Sequence, residues 1–476
     1  METMSNKKNF LFPFRRNNGI MKIYFLIFLV FARFCTTAAA DPFDVEKTVP
    51  VLPVAPVCSS SNVTAEKLRL ADVINLALCQ NPQTRQLYMG ALASAAEYGQ
   101  AKADYLPTID LSAGIRQTDT HVRHGRDSNA SPVTAGVSLD WLLYDFGGRE
   151  ASTEIVRQSL NAALATRSDA LQSLIFDAAE AYYLVFAAQE EYKNSNATLE
   201  SALSAYEAAS KRYELGLAAL SDKLQAETSY SEAQLSVTKA EEALELAKGR
   251  LAVLLNFTPD QQLELYEEKY SMDYFSLPQD IDALFQTALN NRSDILAQKA
   301  AIKQAESTIE LQKSKNAPSF AVSAGLNADD ELTKGGQRSY SSSVGLTMTV
   351  PLFTGFKNQY QISQARYQLE QKKAELKQME NDIRHEVWTT FQNFFTAKKT
   401  YEISLTMFAS ADQNAKVALG AYKAGKGSIL TVLDAQSRLA DVRSTRSRSF
   451  YELLIAKTNI IRKIGLIDPF RTKKGF

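Results

Sequence analysis

The sequence predicts an α+β membrane protein that is internally duplicated, and three observations carry that prediction. Residues 211 apart, and further along 209 apart, match in order. Ala77-Leu78 meets Ala288-Leu289, Pro107 meets Pro318, and Ala113-Gly114 meets Ala324-Gly325. Gly136 then meets Gly345, Tyr213 meets Tyr422, Gly216 meets Gly425 and Leu224 meets Leu433. So steady an offset marks a repeated unit of roughly 200 residues, far longer than a solenoid repeat. Second, each copy holds two segments in which apolar and polar residues alternate strictly. Third, each copy holds long runs free of proline and glycine, with apolar residues at helical spacing.

Residues 1–40 read as an export signal. Lys7, Lys8, Arg15, Arg16 and Lys22 precede the apolar run 23–31, and Ala38-Ala39-Ala40 offers a small-residue cleavage site. A start at Met1 or at Met21 fits equally. That apolar run is too short to span a bilayer, and no other run approaches the required length. Without residues 1–40 the chain carries 47 basic and 52 acidic side chains, a balance that suggests no nucleic-acid partner. Residues 41–64, rich in proline, are expected to be extended. Cys58 and Cys79 remain after signal removal. In an oxidising compartment they are expected to pair, for roughly 3 kcal/mol in the chain-entropy model.

Repeat one is assigned to 65–265, repeat two to 266–470 and a tail to 471–476. Strands are expected near 106–118, 132–145, 318–328 and 340–353. In the first, Ile109, Leu111, Ala113 and Ile115 alternate with Thr108, Asp110 and Ser112. One apolar face and one small polar face suit a membrane barrel with lipid outside and water inside. Trp141, Tyr144, Phe146, Phe353 and Phe356 gather where strands end, as an interfacial girdle would. The hairpin tips, 121–130 and 329–338, are polar. Four strands cannot close a barrel, and an open edge is not tolerated in lipid. Several chains would have to share one barrel, and two, three or four copies all remain open.

Long helices are expected at about 149–213, 221–255, 356–422 and 428–465. Their remaining faces carry Glu, Lys, Gln, Ser and Thr, so they do not read as membrane spans. Gly216 and Gly425 fit the left-handed residue that ends a helix, and Ser221 and Ser428 are placed to cap the next. Catalytic chemistry is not expected. The three histidines are His121, His124 and His385, and no G-x-S-x-G occurs. The G-x-x-x-x-G-K match at 420–426 is followed by Gly427 and sits at a helix end, so it is not a phosphate loop. No cofactor or metal is expected.

The architecture resembles TolC-type outer-membrane channel proteins over about 68–468. The marks are Ala77-Leu78 with Asn81-Pro82, Tyr105-Leu106-Pro107, the corners 143–148 and 350–355, and the segment 421–435. The resemblance implies a homotrimer with a twelve-stranded β-barrel in outer-membrane lipid and a helical tunnel through the periplasm. A mixed belt would surround the tunnel near 68–81 and 256–290. It further implies a passive exit duct for efflux or type I secretion, carrying small toxic compounds or an unfolded polypeptide. A periplasmic adaptor and an inner-membrane transporter of RND or ABC type would dock at the helix-turn tips, Gly216, Leu217, Gly425, Gly427 and Ser428. Carried over by position, Ser221, Asp222 and Tyr422 are aperture links, and Asp434 faces the pore. Three Asp434 carboxylates on one ring would favour cations and raise each other's proton affinity. Thr431 stands where a second pore acid would be expected, and Gly427 where a basic link would be, so a looser closed state is expected. The alternative reading is an exported coiled-coil adhesin or structural stalk.

Overall fold

The computed structural model describes residues 41–51, 67–121, 123, 128–130, 132–276, 280–331 and 338–467. The expected signal (1–40), Cys58, His124 and the tail lie outside the described residues. Among the described residues, 41–48 belong to a small unit of their own. In the described part the expected extended chain instead makes a 3-10 turn, Glu46–Thr48. The Glu46 N–H donates to the Asp41 carboxylate at 2.9 Å.

From Val49 onward the chain is a second unit. Its first half contains helices α1 (Leu70–Gln80), α2 (Pro82–Ala103), α3 (Gly148–Glu214) and α4 (Leu220–Leu254). Its second half contains α5 (Ile281–Asn291), α6 (Ser293–Ser314), α7 (Lys357–Lys423) and α8 (Ile429–Lys463). The two sets have the same lengths, 11, 22, 67 and 35 residues. A 67-residue helix is about 100 Å long. No helix among the described residues is long and apolar enough to cross a membrane.

Between α2 and α3 lie β1 (Thr108–Ile115), β2 (Thr118–Thr120), β3 (Ser128–Ala130) and β4 (Pro132–Tyr144); between α6 and α7 lie β5 (Ser319–Glu331) and β6 (Ser339–Thr349). Strands β1, β4, β5 and β6 form one antiparallel sheet in that order. Its register aligns like with like. Ile109, Leu139, Ala324 and Val344 form one row, and Trp141, Val322 and Leu346 another. On the other face Asp110, Ser138, Gly325 and Ser343 form a row, beside Ser112, Gly136, Asn327 and Ser341. The alternation in four separate segments thus becomes one apolar and one polar surface. The tip expected at 121–130 instead contributes β3, which pairs with β2 beyond the sheet. β6 stops at Thr349 rather than near 353, because Pro351 has no N–H for a ladder.

Helix α3 is the spine. It packs on α2 and α4 of its own half and on α6 and α8 of the other. The main core lies midway along it, where Leu171, Ala178, Tyr182 and Phe186 meet Leu76, Leu251, Phe275 and Leu453. The connector between halves runs across this core. Leu68 bridges it in parallel, its N–H donating to the Glu264 carbonyl at 2.8 Å and its carbonyl accepting from Tyr266 at 2.9 Å. The Tyr182 hydroxyl donates to the Tyr266 carbonyl, and Lys457 to that of Tyr274. Burial pushes both Tyr182 upward and Lys457 downward from their ordinary pKa values.

Candidate functional site

The far end of the helical part is built by two short turns. In the first, Leu217 N–H donates to Arg212 carbonyl at 2.7 Å and Gly216 N–H to Tyr213 carbonyl at 2.9 Å. In the second, Lys426 donates to Ala421 at 2.8 Å and Gly425 to Tyr422 at 2.9 Å. Both are Schellman motifs, which require a left-handed residue after the helix. Gly216 (φ 71°) and Gly425 (φ 77°) supply it. Ser428 caps α8, its hydroxyl oxygen accepting the Thr431 N–H at 3.3 Å. Ser221 does not cap α4. That helix starts one residue earlier, at Leu220, with Ala219 as its cap. The Ser221 hydroxyl lies instead 3.5 Å from the Asp222 carboxylate.

The two turns are clamped together by a residue that the sequence did not single out. Arg212, on α3, donates from Nη1 to the Tyr422 carbonyl at 2.9 Å and lies over the Tyr422 ring at 5.0 Å. Tyr422 is only 2 % exposed. Its hydroxyl has no hydrogen-bond partner among the described residues. Burial, followed by the negative charge of Asp222, pushes that hydroxyl above its ordinary pKa. Gly427 leaves the turn without a side chain, and the cation at this place comes from the other helix hairpin.

Asp434 lies two turns into α8 and is mostly exposed. It does not stand alone, because Arg438, one turn on, donates from Nε to its carboxylate at 2.9 Å. The i,i+4 spacing of Asp434 and Arg438 was legible in the sequence. The reach of Arg212 to a residue 210 positions away was not.

At the opposite end, α3 and α7 leave the sheet through matching corners. Phe146 (φ 53°) and Gly147 (φ 90°) turn the first, Gly355 (φ 62°) and Phe356 (φ 65°) the second. Trp141, Tyr144, Phe146, Phe353 and Phe356 are all exposed there. Arg149 ties the first corner, donating to the Leu143 carbonyl at 2.9 Å and to Asp104 at 3.4 Å. Asn358 does the same in the second, with Asn316 at 2.7 Å and the Lys315 carbonyl at 3.4 Å.

Between the ends, short helices stack to match each long one. Asn81 Nδ2, at the start of α2, donates to the Leu254 carbonyl at the end of α4, at 3.1 Å. Arg292, at the start of α6, donates to the Lys463 carbonyl at the end of α8, at 3.3 Å. Arg292 also pairs with Asp294 (2.7 Å) and Glu386 (2.9 Å), and Lys463 pairs with Glu386 at 3.0 Å. Burial alone would raise Glu386, yet hydrogen bonds from Arg292 and Lys463 hold its carboxyl below the usual range.

A two-faced sheet with open edges, set on long polar helices, fits an outer-membrane channel protein. The comparisons say which kind: the chain belongs to the outer membrane efflux protein family, whose model matches residues 73–256 and 284–466. One matched stretch falls within each half of the chain. Among curated proteins the chain is similar to protein CyaE of Bordetella pertussis, 27% identical over 80% of this chain and 80% of that one. It is also similar to outer membrane protein TolC of Escherichia coli K12, 21% identical over 89% and 87%. Among solved structures it shares the fold of the outer-membrane channel OprN, with TM-score 0.73 at 18% identity over 90% and 94%. The chain is thus an outer membrane efflux protein.

Proposed function

We propose that three copies pool their sheets into one twelve-stranded barrel and their helices into one periplasmic tunnel. A single observation carries this reading. The four-stranded sheet has a continuous apolar face and two unpaired edge strands, β1 and β6. Lipid does not tolerate such edges, so neighbouring copies must satisfy them. The exposed aromatics at the strand ends then ride at the membrane interface.

Transport needs a polar bore and a gate, and no chemistry at the wall. The gate is the ring of helix turns. Asp222, Ser221 and Tyr422 hold it shut, Tyr422 through Arg212, and Asp434 with Arg438 lines it. An adaptor engages the tips at Gly216, Leu217, Gly425, Gly427 and Ser428, and an RND or ABC transporter in the inner membrane supplies the energy. Residues 1–40 are removed on export. Cys79 is disulfide-bonded, and its partner in the mature chain is Cys58.

Purified protein in detergent should have three times the mass of the chain by light scattering, and should conduct in planar bilayers. A monomer that stays soluble without detergent overturns this reading.

A further inference from the structure

A cavity of about 550 Å³ lies beside the corner where α3 leaves the sheet. Phe146, Glu150 and Glu154 line one wall, around the start of α3, and Glu310, Lys313 and Ala317 line the other, around the end of α6. Phe146 fixes where the cavity begins. A register shift between Leu142 and Tyr144 sets Tyr144 opposite Phe320, on the apolar face of the sheet. The Phe146 ring packs edge-on against Tyr144, with centroids 4.7 Å apart. The cavity therefore starts at the rim of the face that the proposed barrel turns to lipid.

Its walls carry three carboxylates against one ammonium. Arg157 Nε donates to Glu154 at 2.6 Å, and Lys313 pairs with Glu310 at 2.7 Å. Glu150 is exposed and makes no ion pair among the described residues. The corner itself does not require these acids. The other copy turns the same corner with Gln359, Ser363 and Gly99 at the positions of Glu150, Glu154 and Glu310. The groups are also ordered by depth. Phe146 and Ala317 lie at the sheet end, Lys313 and Glu150 about one helical turn further along, and Glu310 and Glu154 about two.

We propose that this cavity holds the headgroup of a zwitterionic phospholipid that carries a primary ammonium. This rests on the reading that the sheet faces lipid. The glycerol end of the lipid lies against Phe146 and Ala317, its phosphate takes Lys313, and its ammonium reaches on to Glu310 and Glu150. Apolar, cationic and anionic groups thus follow one another as the parts of the lipid do. Lys313 exchanges Glu310 for the phosphate. The pair it gives up is exposed and weak, whereas the phosphate and ammonium both gain charge-assisted hydrogen bonds. An anionic headgroup would bring the phosphate without the ammonium and set it among unanswered carboxylates.

Native mass spectrometry of the intact, detergent-solubilised protein tests this, with phosphatidylethanolamine and phosphatidylglycerol supplied in equal amounts. The parent should retain phosphatidylethanolamine several-fold better. Glu150→Gln with Glu310→Gln should abolish that preference, while its melting temperature in detergent alone stays that of the parent, since both side chains are exposed. Lys313→Gln is the second variant and should weaken retention of both lipids. Equal retention of the two lipids by the parent, a preference that survives in the double variant, or unchanged retention by Lys313→Gln overturns the site alone. Protein that stays soluble without detergent ends the lipid-facing sheet as well.

Discussion

The two copies have helices of identical lengths, yet they fasten them with different chemistry. At mid-height the first copy uses a neutral amide, Asn81 on the Leu254 carbonyl, and the second a charged group of Arg292, Asp294, Glu386 and Lys463. At the corner between sheet and helix the assignment reverses, with Arg149 in the first and Asn358 in the second. At the tip the clamp on the Tyr422 carbonyl is Arg212, whose counterpart is Ala421. Duplication fixed where helices must be joined, because those places follow from length and crossing geometry. It left open which donor reaches each carbonyl, so the two halves should respond differently to pH, salt and mutation.

The largest difference is expected at the helix ends below the joint. Gly465 (φ 73°) and its counterpart Asn256 (φ 62°) both adopt the left-handed conformation. A Cβ at Gly465 would meet the Arg292 nitrogen and the Asn291 carbonyl carbon at 3.0 Å. Gly465→Ala should therefore cost about 2–4 kcal/mol in thermal unfolding, from strain and overpacking together. Asn256→Gly should be neutral or stabilising. Equal effects at the two sites would remove the distinction.

Next comes the tip. Arg212→Ala removes a charged hydrogen bond of the kind worth about 1.5–3 kcal/mol. The open population in single-channel records should rise roughly tenfold or more. Ala421→Arg, the reciprocal change, should lower it. An Arg212→Ala channel as quiet as the parent would show that the clamp is not a gate element.

Acid should then discriminate between the joints. Glu386 is held below its ordinary pKa, so its contribution is present above the unfolded carboxylate value and is lost as pH falls through the depressed folded value. Melting curves from pH 7 to pH 3 should show an acid-sensitive component that Glu386→Gln removes. Asn81→Ala should cost about 1 kcal/mol with no such pH dependence.

The smallest effect concerns Arg438. Its ion pair with Asp434 is exposed and screened by solvent, so it adds little to stability. Arg438→Gln should raise cation selectivity about two- to threefold and strengthen block by multivalent cations. Asp434→Asn should shift selectivity the other way.

Much of this was legible in the sequence. The duplication, the four sheet strands and the long helices follow from offsets, alternation and the absence of Pro and Gly, with helix ends off by one or two residues. The turn glycines were legible because a left-handed residue is a local requirement. The sequence did not show the start of α4, since Ser221 looked like a cap and the extended backbone of Ala219 leaves no composition signal. It did not show the clamps either. Arg212 meets Tyr422, and Arg292 meets Glu386 and Lys463, across separations that no local pattern encodes.

The equal 67-residue helices also set a rule of growth. One residue inserted in either helix rotates everything beyond it by about 100° and lifts it by about 1.5 Å. A longer or shorter molecule can therefore arise only by near-whole-turn blocks, roughly heptads, added to both halves and to both legs of each hairpin together. The depth of periplasm such a protein can bridge changes in steps of about 10 Å, like notches on a ruler.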